Sequence, residues 1–153
     1  MKIENILKTT PTLPLSKKVV VNLLYTNSVV IGILNDVLKT YDISIQQFNV
    51  LRILRGQKGV PVTLSIIQER MIAKMSNTTR LVDKLIIKGY ATKKTNEKNK
   101  RKIDISITQA GLNFLNEIDA LVDSAEQDIV NMLSENDKLE LIRLLEKLRL
   151  IAN

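Results

Sequence analysis

Apolar residues recur every three or four positions through most of this chain, which predicts a mainly helical protein. After a loose arm over residues 1–12, a first helix is expected over residues 14–41, since Pro14 suits a first helical turn. A long helix is predicted to begin after Thr108, and a last one at Ser134. These outer helices carry more apolar surface than a small central unit could cover.

The central unit begins with a capped helix. Ser44 is followed three residues later by Gln47, a spacing typical of a capping box, and Gly56 supplies the stop signal. Residues 59–62 indicate a short edge strand. Residues 63–72 and 75–88 then predict two helices separated by residues 73–74 alone. Because the turn is so short, these helices must cross steeply, as in a helix–turn–helix.

A β-hairpin is predicted after the second of these helices. Residues 90–95 and 102–108 resemble strands, and the polar, basic residues between them suit a turn. In the second strand apolar and polar residues alternate, so three side chains should face the core: Ile103, Ile105 and Ile107. The fold class is therefore mostly α with a small β-hairpin.

The stretch over residues 19–34 is apolar enough to raise the question of a membrane segment. It is 16 residues long and contains several polar side chains, whereas a span needs about 20 mostly apolar residues. We expect no membrane association and a cytoplasmic protein, with this helix buried against a second subunit.

The distribution of charge along the chain indicates which class of partner the protein binds. The net charge is +7, and residues 74–102 carry ten basic residues against only Asp83 and Glu97, which favours a polyanionic partner.

The chain has no Cys and no His, so it has no disulfide and no Cys- or His-ligated metal site. We predict that it is not an enzyme and uses no cofactor or metal.

The predicted helix over residues 75–88 has a core face and an exposed face. Thr78, Leu81, Val82 and Leu85 form the core face, while the exposed face could enter a major groove with Ser76, Asn77, Thr79, Arg80 and Lys84. The hairpin turn would add phosphate contacts from Lys98, Lys100, Arg101 and Lys102. Together these features predict binding to double-stranded DNA.

These motifs resemble those of the MarR family of winged helix–turn–helix regulators. The resemblance rests on three runs within residues 67–90 and on Asn99-Lys100-Arg101 followed by Ile105-Ser106-Ile107-Thr108 and Gly111, and it covers about residues 14–151. It implies a single domain over residues 1–153, with dimerisation helices over about 14–41 and 108–153 and a winged unit over 44–108. It also implies a homodimer on a palindromic operator, most commonly as a repressor, often released by a small-molecule ligand.

Two positions depart from the family pattern. Asn99 stands where the family usually has Asp, which weakens the usual carboxylate–arginine pairing with Arg101. Lys74 stands where a capping residue is common, so the recognition helix could begin later, at Ser76.

A ligand would occupy the crevice between the dimer helices and the winged unit, where four polar side chains could line it: Asn22, Tyr25, Thr26 and Arg52. The interpretation that we favour is that these residues are ordinary surface or interface positions. The alternative function is that of a non-specific nucleic-acid-binding architectural protein, which would show salt-dependent binding without a preferred sequence.

Overall fold

A computed structural model of the chain, described for residues 2–8, 12–97 and 99–152, contains seven α-helices and a two-stranded antiparallel sheet. The elements follow in the order α1 (Ile3–Ile6), α2 (Leu15–Lys39), α3 (Ile45–Gly56), α4 (Leu64–Arg70), α5 (Thr78–Ile87), β1 (Ala91–Thr95), β2 (Ile103–Ile107), α6 (Gln109–Ile129) and α7 (Glu135–Arg149). A short 3₁₀ turn, Leu150–Ala152, ends the described chain.

The core lies where α3, α4 and α5 meet the sheet and α6. One residue from each of these five elements has an exposed fraction of 1% or less: Leu51, Ile67, Leu85, Ile105 and Leu115. The aliphatic packing follows from the composition, in which aromatic residues make up only 3% of the chain. The predicted core face of α5 is confirmed, since Thr78, Val82 and Leu85 are buried.

Three predicted helix starts are confirmed by their caps. The Ser44 hydroxyl accepts from the Gln47 amide at 3.2 Å, while the Gln47 side chain accepts from the Ser44 amide at 2.9 Å. Ser134 and Asp137 form the same reciprocal box at the start of α7. The Thr108 hydroxyl accepts from the Gly111 amide at 3.0 Å and so caps α6. Each cap satisfies amides that the first helical turn leaves unpaired.

The hairpin is confirmed, with Ala91 opposite Ile107 and Thr95 opposite Ile103. The short extended segment before α4 joins it through a single bridge, in which Val62 and Ile105 exchange two backbone hydrogen bonds of 3.0 and 2.8 Å. The inward orientation predicted for Ile103 is wrong, because this residue is 41% exposed. It lies at the end of β2 next to the turn, while Ile105 at the middle of the strand is buried.

Two predicted boundaries are also wrong. The arm over residues 1–12 contains the one-turn helix α1, whose Ile3 is buried and whose Glu4 pairs with Lys18 at 2.8 Å. Between α4 and α5 lie residues 71–77 rather than residues 73–74 alone. The connection is longer because Met71, 1% exposed, leaves helical geometry to enter the core, and the next capping side chain is Asn77.

The outer helices expose large apolar side chains. On α2 these are Leu15, Val19, Val20, Leu24, Tyr25, Val29 and Ile33, and on α7 they are Leu139, Leu141, Ile142, Leu144 and Leu148. The other side of α2 packs against α6. By length and composition alone α2 could cross a membrane, a test that core helices of soluble proteins also pass.

Candidate nucleic-acid interface

We call α5 the recognition helix, and its start is defined by Asn77. The Asn77 side-chain oxygen accepts from the Arg80 amide at 3.1 Å, which makes Asn77 the N-cap and Thr78 the first helical residue. Ser76 and Asn77, predicted within the helix, therefore lie just before it. The cap leaves the Asn77 side-chain NH₂ group to donate elsewhere.

The turn between α4 and the recognition helix is held by Gln68. Its side-chain amide donates to the Lys74 carbonyl at 2.6 Å, and its side-chain oxygen accepts from the Thr78 hydroxyl. The Ser76 amide closes the turn by donating to the Ala73 carbonyl at 3.1 Å. One side chain thus fixes the end of α4, the turn and the first residue of the recognition helix.

The outward face of the recognition helix offers hydrogen-bonding and cationic groups. Thr79, Arg80 and Lys84 are all exposed. The N-terminal end of the helix also presents backbone amides and the positive end of the helix dipole, which suit phosphate oxygens. This half of the helix has the size and chemistry needed to contact base edges in a major groove.

The wing, here β1, β2 and the loop between them, is joined to the recognition helix by an ion pair. Asp83 on α5 lies 3.1 Å from the ammonium of Lys93 on β1, and α5 packs against β1. The pair joins the exposed side of the helix to the hairpin, so the two predicted binding elements form adjoining surface. It also neutralises the carboxylate of this helix, which would repel DNA.

Two asparagines organise the described part of the wing loop. Asn96 donates to the Asp104 carboxylate at 2.8 Å and accepts from the Asn99 amide at 2.8 Å. The Asn99 side chain in turn accepts from the Arg101 amide at 3.1 Å. Asn99 therefore shapes the backbone at Arg101 without adding a negative charge beside its guanidinium. Lys98, also predicted in the wing, lies outside the described residues.

The cations of this surface remain available to a ligand. Within residues 2–8, 12–97 and 99–152, no ion pair engages five exposed basic side chains: Arg80, Lys84, Lys100, Arg101 and Lys102. Behind them Lys88 lies 2.5 Å from Asp42, and this hydrogen bond and charge hold the pKa of Asp42 below its usual value. So many unpaired cations repel one another unless a polyanion neutralises them.

The connection between the recognition helix and β1 is packed against α6. The Tyr90 ring stacks on Phe114 of α6 with centroids 4.5 Å apart, and Phe114 meets Tyr41, just after α2, edge-on at 6.0 Å. On the far side of α3, Arg55 pairs with Asp119 of α6 at 2.5 Å. The segment that joins the two binding elements thus contacts α6, a predicted dimerisation helix.

The predicted ligand residues lie on two helices, three on α2 and Arg52 on α3. Asn22 donates to the Lys18 carbonyl on its own helix at 2.7 Å, and Tyr25 and Thr26 are exposed. Arg52 lies over the Phe48 ring and 4.0 Å from Glu126. Two open grooves, of about 550 and 330 Å³, are lined by other residues, the first at the wing and the second between the end of α2 and the start of α3.

Gln68 and Lys93 shape the surface but are not among the residues predicted from the sequence. Their partners stand ten residues away, and no local periodicity signals such a contact. For metal binding, the described residues contain no group of three or more suitable acidic side chains.

Comparisons with known proteins point to one family. A MarR family model matches residues 43–103, which span α3 through the start of β2. The transcriptional regulator TcaR of Staphylococcus aureus is 31% identical over 113 residues, covering 72% of this chain and 73% of TcaR. The regulator PecS of Dickeya dadantii is 30% identical over 115 residues, covering 73% and 68% of the two chains.

Solved structures share the fold. A MarR-like transcription regulator from Bacillus cereus superposes with a TM-score of 0.80 at 21% identity, covering 90% of this chain and 98% of its own. A mutant MarR from E. coli complexed with operator DNA superposes with a TM-score of 0.74 at 24% identity, covering 82% of this chain and 89% of the MarR chain. BpsR of Bordetella bronchiseptica, whose DNA binding is regulated by 6-hydroxynicotinic acid, superposes with a TM-score of 0.79 at 17% identity. The match covers 90% of this chain and 97% of BpsR.

Proposed function

Because the chain belongs to the MarR family, whose members are DNA-binding transcriptional regulators, we propose that it is a cytoplasmic repressor acting as a homodimer on a palindromic operator. The observation that carries this proposal is the adjoining surface of recognition helix and wing, with five exposed cations that form no ion pair within the described residues. Such a surface has the chemistry to bind a DNA duplex at two neighbouring places.

The proposed contacts divide by chemistry. Arg80 and the Asn77 side-chain amide would contact base edges, while Ser76, Thr79 and Lys84 would position the helix on base edges and phosphates. The wing cations Lys98, Lys100, Arg101 and Lys102 would contact the sugar–phosphate backbone beside the groove that the helix occupies.

The proposed dimer rests on the apolar faces of α2 and α7. An exposed apolar surface of this size is uncommon on a monomer and marks an interaction site. A two-fold pair of recognition helices would require two inverted half-sites about one helical turn, or 10 base pairs, apart.

Release by a small molecule is part of the proposal. It is supported by the structural likeness to BpsR, whose DNA binding responds to 6-hydroxynicotinic acid. Asn22, Tyr25, Thr26 and Arg52 are the proposed polar contacts of such a ligand, at a site completed by the second subunit.

Selection of bound duplexes from random-sequence DNA, together with sedimentation equilibrium of the free protein, tests the proposal. We expect a dimer and an inverted repeat preferred by about 10³-fold or more over random DNA. A non-specific architectural protein would show the same steep salt dependence but yield no shared sequence. That outcome would replace our proposal by the alternative.

A further inference from the structure

We propose that Met75 is a specificity-determining residue, which packs its side chain against the C5-methyl group of a thymine in the major groove. This inference rests on the proposed function, because it requires that the N-terminal end of the recognition helix enters the groove. It adds an apolar contact to the polar contacts proposed above.

Met75 is 99% exposed, and Ile72 in the same turn is 85% exposed. Isolated apolar side chains are normal on protein surfaces, but two large ones within four residues of a polar, basic turn contribute nothing to the core and are open to a partner. Met71, directly after α4, is buried, so one methionine of this segment packs in the core while the other is exposed to solvent.

Hydrogen bonds hold the turn in this conformation. The Asn49 side chain accepts from the Ile72 amide at 3.0 Å, Gln68 donates to the Lys74 carbonyl, and the Ser76 amide donates to the Ala73 carbonyl. The backbone that presents Met75 is therefore fixed by the fold. Binding then has to order only the Met75 side chain and not the turn itself.

Position and charge identify the partner as DNA. Met75 stands two residues before the N-cap Asn77, next to the helix end proposed to enter the groove. Residues 68–80 carry Arg70, Lys74 and Arg80 against the single acid Glu69, a balance that attracts a polyanion. The thymine methyl is the apolar group that a base pair presents in the major groove, and the flexible thioether side chain adapts well to such a surface.

The experiment is a double-mutant cycle between the side chain and the methyl group. The probe is the highest-affinity duplex selected by the wild-type protein, prepared with thymidine or with 2′-deoxyuridine at one half-site position at a time. Because Met75 is exposed, Met75→Ala should leave stability unchanged, which urea unfolding verifies. Ile87→Ala is the matched control, since Ile87 is 85% exposed at the C-terminal end of the recognition helix, far along the chain from the end proposed to enter the groove.

We expect one uridine substitution to weaken wild-type binding about fourfold, the value of one buried methyl group. Met75→Ala should weaken binding to the thymidine duplex to a similar extent, and this variant should bind the thymidine and uridine duplexes equally well. Ile87→Ala should still bind the uridine duplex about fourfold more weakly than the thymidine duplex. The inference is overturned if uridine has no effect at any position, or has the same effect in Met75→Ala as in wild type. Failure of the wild-type protein to select a preferred duplex would instead contradict the proposed function itself.

Discussion

Replacing Gly111 by alanine tests how closely α6 approaches the start of the wing. A Cβ atom at this position would lie 2.3 Å from the carbonyl oxygen of Tyr90 and 2.8 Å from Cγ1 of Ile107. The Tyr90 carbonyl cannot easily move, because it accepts from the Thr108 amide at 3.0 Å. Thr108 is itself held by a 2.7 Å hydrogen bond from its hydroxyl to the Gly89 carbonyl.

The expected loss in the free energy of unfolding follows from the displacement that relieves this clash. Ordinary van der Waals contact begins at 3.4 Å, so α6 and the Tyr90 backbone must separate by about 1 Å. Overpacking of this kind costs about 1–3 kcal/mol, and alanine recovers about 0.5–1 kcal/mol through its higher helix propensity. Because the clash is with a hydrogen-bonded backbone carbonyl, the cost lies in the upper half of that range, and we expect Gly111→Ala to lower the free energy of unfolding by about 1–2.5 kcal/mol.

Urea unfolding followed by circular dichroism, at one fixed protein concentration, measures the effect. With a denaturant slope of about 2 kcal/mol per molar urea, the middle of the usual range, the midpoint should fall by about 0.5–1.2 M. Gly56→Ala is the control, since a Cβ there would meet no atom within 4 Å, and its midpoint should stay the same or rise slightly. Equal midpoints for the two variants would refute the close approach.

Four further predictions concern the binding surface, the dimer and pH. Arg80→Ala should cost about 1–3 kcal/mol on the selected duplex and relax sequence preference in fluorescence anisotropy titrations, and unchanged specific affinity would exclude Arg80 from base contact. Arg101→Ala should reduce the slope of log K against log salt by about one, and an unaltered slope would remove the wing from the contact surface. Leu144→Asp should shift sedimentation equilibrium toward monomer, because it places a charge on the proposed apolar interface; an unchanged dimer would exclude that face. Without histidine, stability should stay level between about pH 8 and 6. It should fall only in acid, as carboxylates such as Asp42, whose pKa Lys88 lowers, are protonated; a lower urea midpoint at pH 6 than at pH 8 would contradict this.

Much of the fold was predictable because its signals are local. Ser44 with Gln47, and Ser134 with Asp137, carry their capping partners three residues away, and the structure forms both boxes. The hairpin follows from alternation in the strand around Ile105 and from the polar segment before it. The surplus of apolar residues on the outer helices, visible in the sequence, reappears as the exposed faces of α2 and α7.

The start of the recognition helix was not predictable from the same kind of signal. Apolar periodicity continues through the turn at residues 71–77, so it cannot mark where helical geometry stops. What decides the boundary is tertiary: Met71 enters the core, and Gln68 reaches across the turn to Thr78. Similarly, charge counting located the basic surface, but only the three-dimensional structure shows that Asp83 pairs with Lys93.

The central claim is that the recognition helix and the wing contact the same duplex. Because the chain has no cysteine, a DNA-cleaving iron chelate can be attached at one chosen position, using the single substitutions Lys84→Cys and Lys100→Cys, with Glu146→Cys on α7 as the control. We predict that the first two cut the selected duplex at adjacent places within each half-site and that the third does not cut. Cleavage from position 146 without cleavage from positions 84 and 100 would contradict the account.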